Sequence, residues 1–142
     1  MKTIKILAVV FVLAATAAPA FAGTFGLGAA LFDGDYFGVQ GRKTFDLGGD
    51  ISQITTGATI YFKDTWFAFD ADYHFTVNPE NPSRFYPLAG LNVSTDFDWA
   101  EVGANLGGGV DFMLTGSLAS YFEAKYTISD LDGFTFTFGV KF

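Results

Sequence analysis

The last nine residues alternate strictly. Phe134, Phe136, Phe138, Val140 and Phe142 share one parity, and Thr135, Thr137, Gly139 and Lys141 share the other. A period of two makes a β-strand with one apolar face, and a helix does not reproduce it. The same alternation runs back through most of the chain. Turn residues interrupt it at regular intervals: Asp33-Gly34-Asp35, Leu47-Gly48-Gly49-Asp50, Lys63-Asp64-Thr65, Asn78-Pro79-Glu80-Asn81-Pro82, Thr95 to Asp98, Leu114-Thr115-Gly116, and Ser129 to Gly133. Glycine supplies positive φ, and Pro, Asn and Asp favour tight turns. Seven breaks leave eight strands, approximately 24–32, 36–46, 51–62, 66–77, 84–94, 99–112, 117–128 and 134–142. Most reach the roughly 9–11 residues of a tilted strand that crosses a bilayer. The expected fold is all-β, an eight-stranded antiparallel up-and-down barrel without helix, linker or second domain.

The first 22 residues read differently. Lys2 and Lys5 precede an apolar run from Ile6 to Ala18, and Ala20-Phe21-Ala22 sets small residues before Gly23. A spanning helix needs about 20 apolar residues, and this run has 13. Residues 1–22 are therefore expected to be a cleaved signal peptide and residues 23–142 the barrel. Without Lys2 and Lys5, six basic residues face fifteen acidic ones, a net charge of −9. That balance argues against nucleic-acid binding, which needs a basic footprint. The absence of cysteine removes disulfides, thiolate metal sites and a cysteine nucleophile. The one histidine, His74, excludes a multi-histidine metal site. No cofactor or metal is expected, nor any catalytic residue.

Alternation alone does not say which face is outside. A soluble barrel hides its apolar face, and a membrane barrel shows it to lipid. The chain has 18 Phe, of which Phe11 and Phe21 lie in the leader. Fourteen of the other sixteen fall on the apolar parity, all but Phe32 and Phe97. An eight-stranded barrel is just wide enough for side chains to fill it, so that many rings cannot fit inside. The opposite parity is small and polar, with Gly26, Gly28, Gly38, Gly57, Gly90, Gly103, Gly107, Gly109 and Gly139 beside Gln40, Gln53, Asn92 and Asn105. The apolar face is therefore expected to face lipid. An even strand number puts both termini on one side, and export by a signal peptide makes that side the periplasm. Aromatic girdles are expected at two heights: Tyr36, Phe37, Phe62, Trp66, Phe67 and Trp99 near the outer rim, and Phe25, Phe45, Phe75, Phe85, Phe112 and Phe142 near the inner one. Lys43 falls on the lipid-facing parity. Either it lies low enough to snorkel to the interface, or a bulge near Gly41 shifts the register.

With these residues in place, the chain resembles the small outer-membrane β-barrel proteins of Gram-negative bacteria, the OmpA/OmpX-like and porin-like barrels. The resemblance covers the whole mature chain. Its most specific part is the C-terminal strand, whose Phe134, Phe136, Phe138, Val140 and terminal Phe142 look like the signal read by the barrel-assembly machinery. Tyr86-Pro87-Leu88-Ala89-Gly90-Leu91, Asn105-Leu106-Gly107-Gly108-Gly109-Val110-Asp111-Phe112 and Phe122-Glu123-Ala124-Lys125-Tyr126 are similar to family strands. The resemblance implies an outer-membrane location. It also implies contact with membrane lipid and lipopolysaccharide, assembly by that machinery, and a monomer. It does not fix an activity, because such barrels include structural proteins, pores, adhesins and a few lipid-modifying enzymes. The short outer connections weaken adhesin and receptor readings.

Inward parity places Arg42, Asp70, Asp72, His74, Glu101, Asp111, Glu123, Lys125 and Lys141 in the lumen. Arg42, Asp70, Asp72, Glu123 and Lys125 fall at similar mid-barrel depth. A narrow lumen forces such charges to pair. The network is either a structural polar core or a switchable salt-bridge gate. Five acids against three bases would make any leak prefer cations. His74-Phe75-Thr76 resembles the His-x-Ser element of lipid A deacylase barrels. His74, however, points inward while acyl chains lie outside, so a hydrogen-bonding lumen histidine is expected. The outer tips carry Asp33, Asp35, Asp64, Asp96, Asp98, Asp130 and Asp132 against Lys63 alone. They serve turn chemistry and solubility or bridge divalent cations to lipopolysaccharide phosphates. The leading function is a non-enzymatic structural or porin-like role. The alternatives are a small cation-preferring pore and a lipid-modifying enzyme. A lipid-facing belt predicts that the folded protein leaves membranes only with detergent. Release by salt or alkali alone would instead identify a soluble barrel.

Overall fold

A computed structural model describes residues 24–49 and 51–142 of the chain. The signal peptide expected over residues 1–22 lies outside the described residues. Eight strands follow one another: β1 (Thr24–Phe32), β2 (Tyr36–Gly48), β3 (Ser52–Tyr61), β4 (Trp66–Phe75), β5 (Ser83–Thr95), β6 (Ala100–Met113), β7 (Ala119–Ile128) and β8 (Gly133–Lys141). Each pairs antiparallel with the next, and β1 pairs with β8 to close the barrel. The expected strands match β1 at both ends and differ from the others by at most two residues at either end.

The ladder from Gly26↔Lys141 to Phe32↔Thr135 makes the closure. Phe25 and Phe142 extend it through two reciprocal backbone hydrogen bonds of 3.0 and 2.8 Å. No strand edge remains, which is what a spanning sheet requires. The end with the start of β1 and the finish of β8 is called the base, and the opposite end the rim. Rim connections are short. Asp33 (φ 50°) and Gly34 (φ 71°) turn β1 into β2, and Asp64 (φ 60°) and Thr65 (φ 40°) turn β3 into β4. Positive φ is uncommon for Asp and a true outlier for a β-branched Thr, so the β3–β4 turn carries local strain.

Polarity is inside-out. Among the described residues, ten phenylalanines are exposed on the outer wall, including Phe37, Phe62, Phe85, Phe122 and Phe138. The buried set is mostly polar, with Gln40, Arg42, Thr59, Asp72, Asn105, Glu123, Lys125 and Thr137 among its members. Phe32 is the inward exception, as its parity requires.

The bulge expected as one explanation of Lys43 does not fall near Gly41. Pairing is continuous through Gly41 and Lys43 on both sides of β2, and the shift in register falls lower, between Asp46 and Gly48. Lys43 keeps outward parity opposite Phe25, close to the base. Its ammonium lies 4.8 Å from the Phe25 ring centre and 5.3 Å from that of Phe45. The residue is only 2% exposed, so the charge is accommodated by cation–π contact under cover and not by exposure at an interface.

Glycine on the inner wall makes room for tyrosine. A Cβ on Gly28 or Gly139 would come within 2.6 or 2.7 Å of the Tyr121 hydroxyl, and one on Gly109 within 2.5 Å of the Tyr86 hydroxyl. These contacts are closer than carbon and oxygen tolerate. Gly57 differs, since its nearest neighbour would be 3.7 Å away. Gly109→Ala is expected to displace Tyr86 and destabilise the barrel by about 1–3 kcal/mol, as overpacking does. Gly57→Ala should be close to neutral. Urea unfolding of the two refolded variants separates these outcomes.

Candidate functional site in the barrel lumen

The strand register stacks the inward side chains in three levels. Nearest the rim is an aromatic plug. Phe32, Tyr61 and Trp66 pack with Ala30 and Ala68, and Tyr36 and Leu131 lean against them. Tyr61 and Trp66 stack at 4.1 Å, and Phe32 meets the Trp66 edge at 5.3 Å. Such ring pairs add to what area burial contributes.

Below the plug lies the charged level. Lys125 Nζ is 3.0 Å from Asp70 Oδ1 and 3.0 Å from Asp72 Oδ2. The Asn105 amide donates to both carboxylates at 2.8 Å, and Asn92 donates to Asp70 at 2.9 Å. Thr127 donates to the Asn105 carbonyl oxygen at 2.7 Å. Beside this cluster, Arg42 forks onto Glu123 with two bonds of 3.0 Å. Gln40 Oε1 accepts from Arg42 Nε at 2.9 Å and from Nη2 at 2.7 Å. The Tyr86 hydroxyl donates to Glu123 at 2.9 Å, and the Arg42 guanidinium lies 4.1 Å over the Tyr121 ring. Exposure of these five charged residues runs from 1% for Glu123 to 8% for Asp70. Buried charge is tolerable only with this degree of pairing and hydrogen bonding. A cavity of about 10 Å³ lies between the plug and the Asp70–Lys125 pair, room for one water at most.

The base level holds Lys141 paired with Asp111 at 2.5 Å, together with Arg84, Tyr86, Tyr121 and His74. His74 is fully buried and stacks on Tyr86 at 4.4 Å with the rings nearly parallel. Neither of its nitrogens has a hydrogen-bond partner, and Nε2 stands 3.8 Å from Glu123 Oε2. The expected protein hydrogen bond to His74 is therefore absent. The neighbouring inward side chains Gln53 and Leu88 pair with His74 through the ladder, not through the ring.

Arg42, Asp70, Asp72, Glu123 and Lys125 thus stand together in the lumen. Glu101 does not join them. It sits at the rim end of β6 opposite Ser94, half-buried and outside the ion pairs of the described residues. Two girdle assignments need correction. Trp66 is 5% exposed and points inward, because it shares parity with Ala68 and Asp70. Tyr36 packs on Phe32 and Trp66 at about the same level, with ring centres 6.1 and 6.0 Å away. Trp99 is exposed in the turn before β6, and Phe37 and Phe62 stack on the outer wall at 6.0 Å. Phe134, Phe136, Phe138, Val140 and Phe142 are all exposed on the outer wall. Sequence reading missed Tyr61, Tyr86, Tyr121 and Arg84 as lumen residues, although each has the inward parity.

Several of the rim carboxylates are engaged by groups of their own or neighbouring turns and strands. Asp33 accepts the Phe134 amide at 2.9 Å, and Asp132 accepts the Tyr126 hydroxyl at 2.5 Å. Asp96 accepts the Asp98 and Trp99 amides at 2.8 and 3.0 Å. Partial desolvation pushes the Asp96 carboxyl up, but these amides outweigh it and hold the group below the usual carboxylate range. Lys63 is hydrogen-bonded to Asp35 and lies 4.9 Å over the Tyr36 ring. The Asp35 carboxylate raises the Lys63 ammonium above its ordinary value. Among the described residues, no group of three or more His, Asp or Glu converges to hold a metal ion.

No protein-family model matches the sequence, and no curated protein matches it. Solved structures do share its shape. The N-terminal β-barrel domain of Pseudomonas aeruginosa OprF superposes with a TM-score of 0.70 at 16% identity, covering 84% of this chain and 95% of that one. Neisserial surface protein A gives 0.62 at 12% identity, over 84% and 92%. The Yersinia pestis outer membrane protein Ail gives 0.60 at 10% identity, over 84% and 97%. At these identities the likeness establishes the fold, a closed eight-stranded barrel.

Removing one partner of the Arg42–Glu123 fork would strand a buried carboxylate. Arg42→Met is expected to destabilise the barrel by about 3–5 kcal/mol, and Arg42→Met with Glu123→Leu to recover most of that loss. Urea midpoints of both variants give the comparison.

Proposed function

We propose that the chain is an outer-membrane barrel with a non-enzymatic, structural role and a lumen closed to ions. The membrane assignment is supported by the exposed phenylalanine wall and the closed sheet, and by the outer membrane named for one of its structural neighbours. In this reading the base faces the periplasm and the rim faces outward. Lipid and lipopolysaccharide cover the wall, the barrel-assembly machinery inserts it through its C-terminal strand, and the barrel works as a monomer.

One observation carries the closed lumen: two different seals lie in series. Ions would have to pass rings in van der Waals contact and then ion pairs that are almost wholly buried. Dislodging either is costly, the rings by area and the charges by desolvation. A second reading, a cation-preferring pore gated at the salt bridges, draws on Asp70 and Asp72 sharing one lysine. A lipid-modifying role for His74 finds little support in a ring that is wholly buried inside the wall and stacked on Tyr86.

Single-channel recording of the folded, purified barrel in a planar bilayer tests the choice. Silence across several salt concentrations, from protein shown to be folded, is the expected result. Steady cation-selective steps would establish the pore instead.

A further inference from the structure

The outer wall is not evenly covered. Beside the closing ladder, a pit of about 280 Å³ opens between Leu31, Phe37, Phe122, Phe136 and Phe138. It exists because Ala29 is small. The two ladders of β1 set Ala29 between Val39 and Phe138, and the next outward row sets Leu31 between Phe37 and Phe136. The five larger side chains are all exposed and stand around Ala29 as walls. Four carboxylates lie above the pit at the rim. Asp33 and Asp35 belong to the turn that joins β1 to β2, and Asp130 and Asp132 to the turn that joins β7 to β8. Asp33 accepts the Phe134 amide through Oδ1, and Asp132 accepts the Tyr126 hydroxyl through Oδ2. An ionised carboxylate has room for more donors than one.

We infer that the pit seats one acyl chain of a membrane lipid whose headgroup ends in a primary ammonium group, with that ammonium on the carboxylates of the two turns. The reach is right. Ala29 and Asp33 are four residues apart, roughly 13 Å of strand, and half of the hydrocarbon core is about 15 Å. A chain hanging from a headgroup at these turns therefore crosses the pit. An apolar pit stays dry. Chain and wall are equally apolar, so close packing holds the chain, and a slot between rings surrounds it where a convex wall only touches it. The headgroup then decides which lipid stays. Four carboxylates repel a purely anionic headgroup, whereas an ammonium brings charge and three donors. Lys63 shows the same preference within the chain: its ammonium is hydrogen-bonded to Asp35 and lies 4.9 Å over the Tyr36 ring. A second copy of the barrel is the other apolar occupant, and charge disfavours it. A symmetric contact along this seam would set the four carboxylates against their own copies. The site rests on the outer-membrane reading above and adds a lipid class to it.

Native mass spectrometry of the refolded barrel in detergent tests the site. The probes are phosphatidylethanolamine, phosphatidylglycerol and phosphatidylcholine with identical chains. One phosphatidylethanolamine per barrel should be retained at a concentration several-fold below that needed for phosphatidylglycerol. Phosphatidylcholine, whose ammonium has no N–H donor, should fall between them. Ala29→Phe fills the pit from the lipid-facing side and should abolish the preference. Ala104→Phe, outward on β6, should leave it unchanged. Asp33→Asn with Asp132→Asn keeps both hydrogen-bond acceptors and should bring phosphatidylethanolamine down to the level of phosphatidylglycerol. Equal retention of the three lipids by the unaltered barrel would overturn the inference, and so would a preference that survives in folded Ala29→Phe. A dimer that Ala29→Phe abolishes would give the pit to a second copy and overturn it as well. Each of these failures leaves the membrane reading standing, because that reading fails only if the barrel leaves membranes without detergent.

Discussion

Everything inside the molecule follows from the pairing of β1 with β8. Once that ladder closes the sheet, the strand number sets the radius, and eight strands leave a lumen that side chains must fill. The phenylalanines are too numerous to be placed there, so all but a few go to the wall, and the lumen is left to small and polar residues with a handful of inward rings. Those residues are then buried as thoroughly as any protein core. Burial forces the charges into pairs, and pairing demands forks, amides and hydroxyls at fixed depths. The glycines opposite Tyr86 and Tyr121 belong to the same chain of cause. In so narrow a tube, a large ring on one strand is possible only where its neighbours have no Cβ.

Period-two reading carries a long way in such a fold, because parity alone decides between lipid and lumen. Arg42, Asp70, Asp72, Glu123 and Lys125 were legible on that basis, and so were the eight strands, with ends within two residues. Trp66 and Tyr36 went to the girdle because they were read by residue type and height, against their own parity. Tyr61, Tyr86, Tyr121 and Arg84 carried the same inward signal and were overlooked beside apolar neighbours. Which carboxylate takes which base was not legible at all. That depends on how far each strand is staggered against the next around the closed sheet, and no single strand records it. The unpartnered ring of His74 is a further case, since an inward histidine is equally compatible with a hydrogen bond or with a stack on Tyr86.

The two ends of the lumen are sealed by different physics. Rings at the rim close the lumen by contact, and among the described residues their level contains no buried polar side chain without a partner. At the base level, among the described residues, His74, Arg84, Asp111 and Tyr121 carry buried polar atoms without a protein partner. Between the two, the Arg42–Glu123 fork and the Lys125 cluster are satisfied entirely from within. Ring contact at the rim and paired charge below it therefore fill the lumen by two different means along its axis.

A charged lumen also does what an apolar one could not. In a wall with lipid outside, an apolar filling would leave nothing to distinguish the two faces of a strand. A one-residue slip between neighbours exchanges the faces completely. Here such a slip in β7 would send Glu123 and Lys125 into hydrocarbon and bring Phe122 and Tyr126 inside. An exposed lysine or arginine at the bilayer midplane costs roughly 2–4 kcal/mol, and the partner left in the lumen loses its counter-charge as well. In β4 the same slip would expel Asp70 and Asp72 and strand Lys125. The ion pairs therefore penalise wrong registers as well as fill the lumen, which is reason enough for a closed eight-stranded barrel to keep a charged interior.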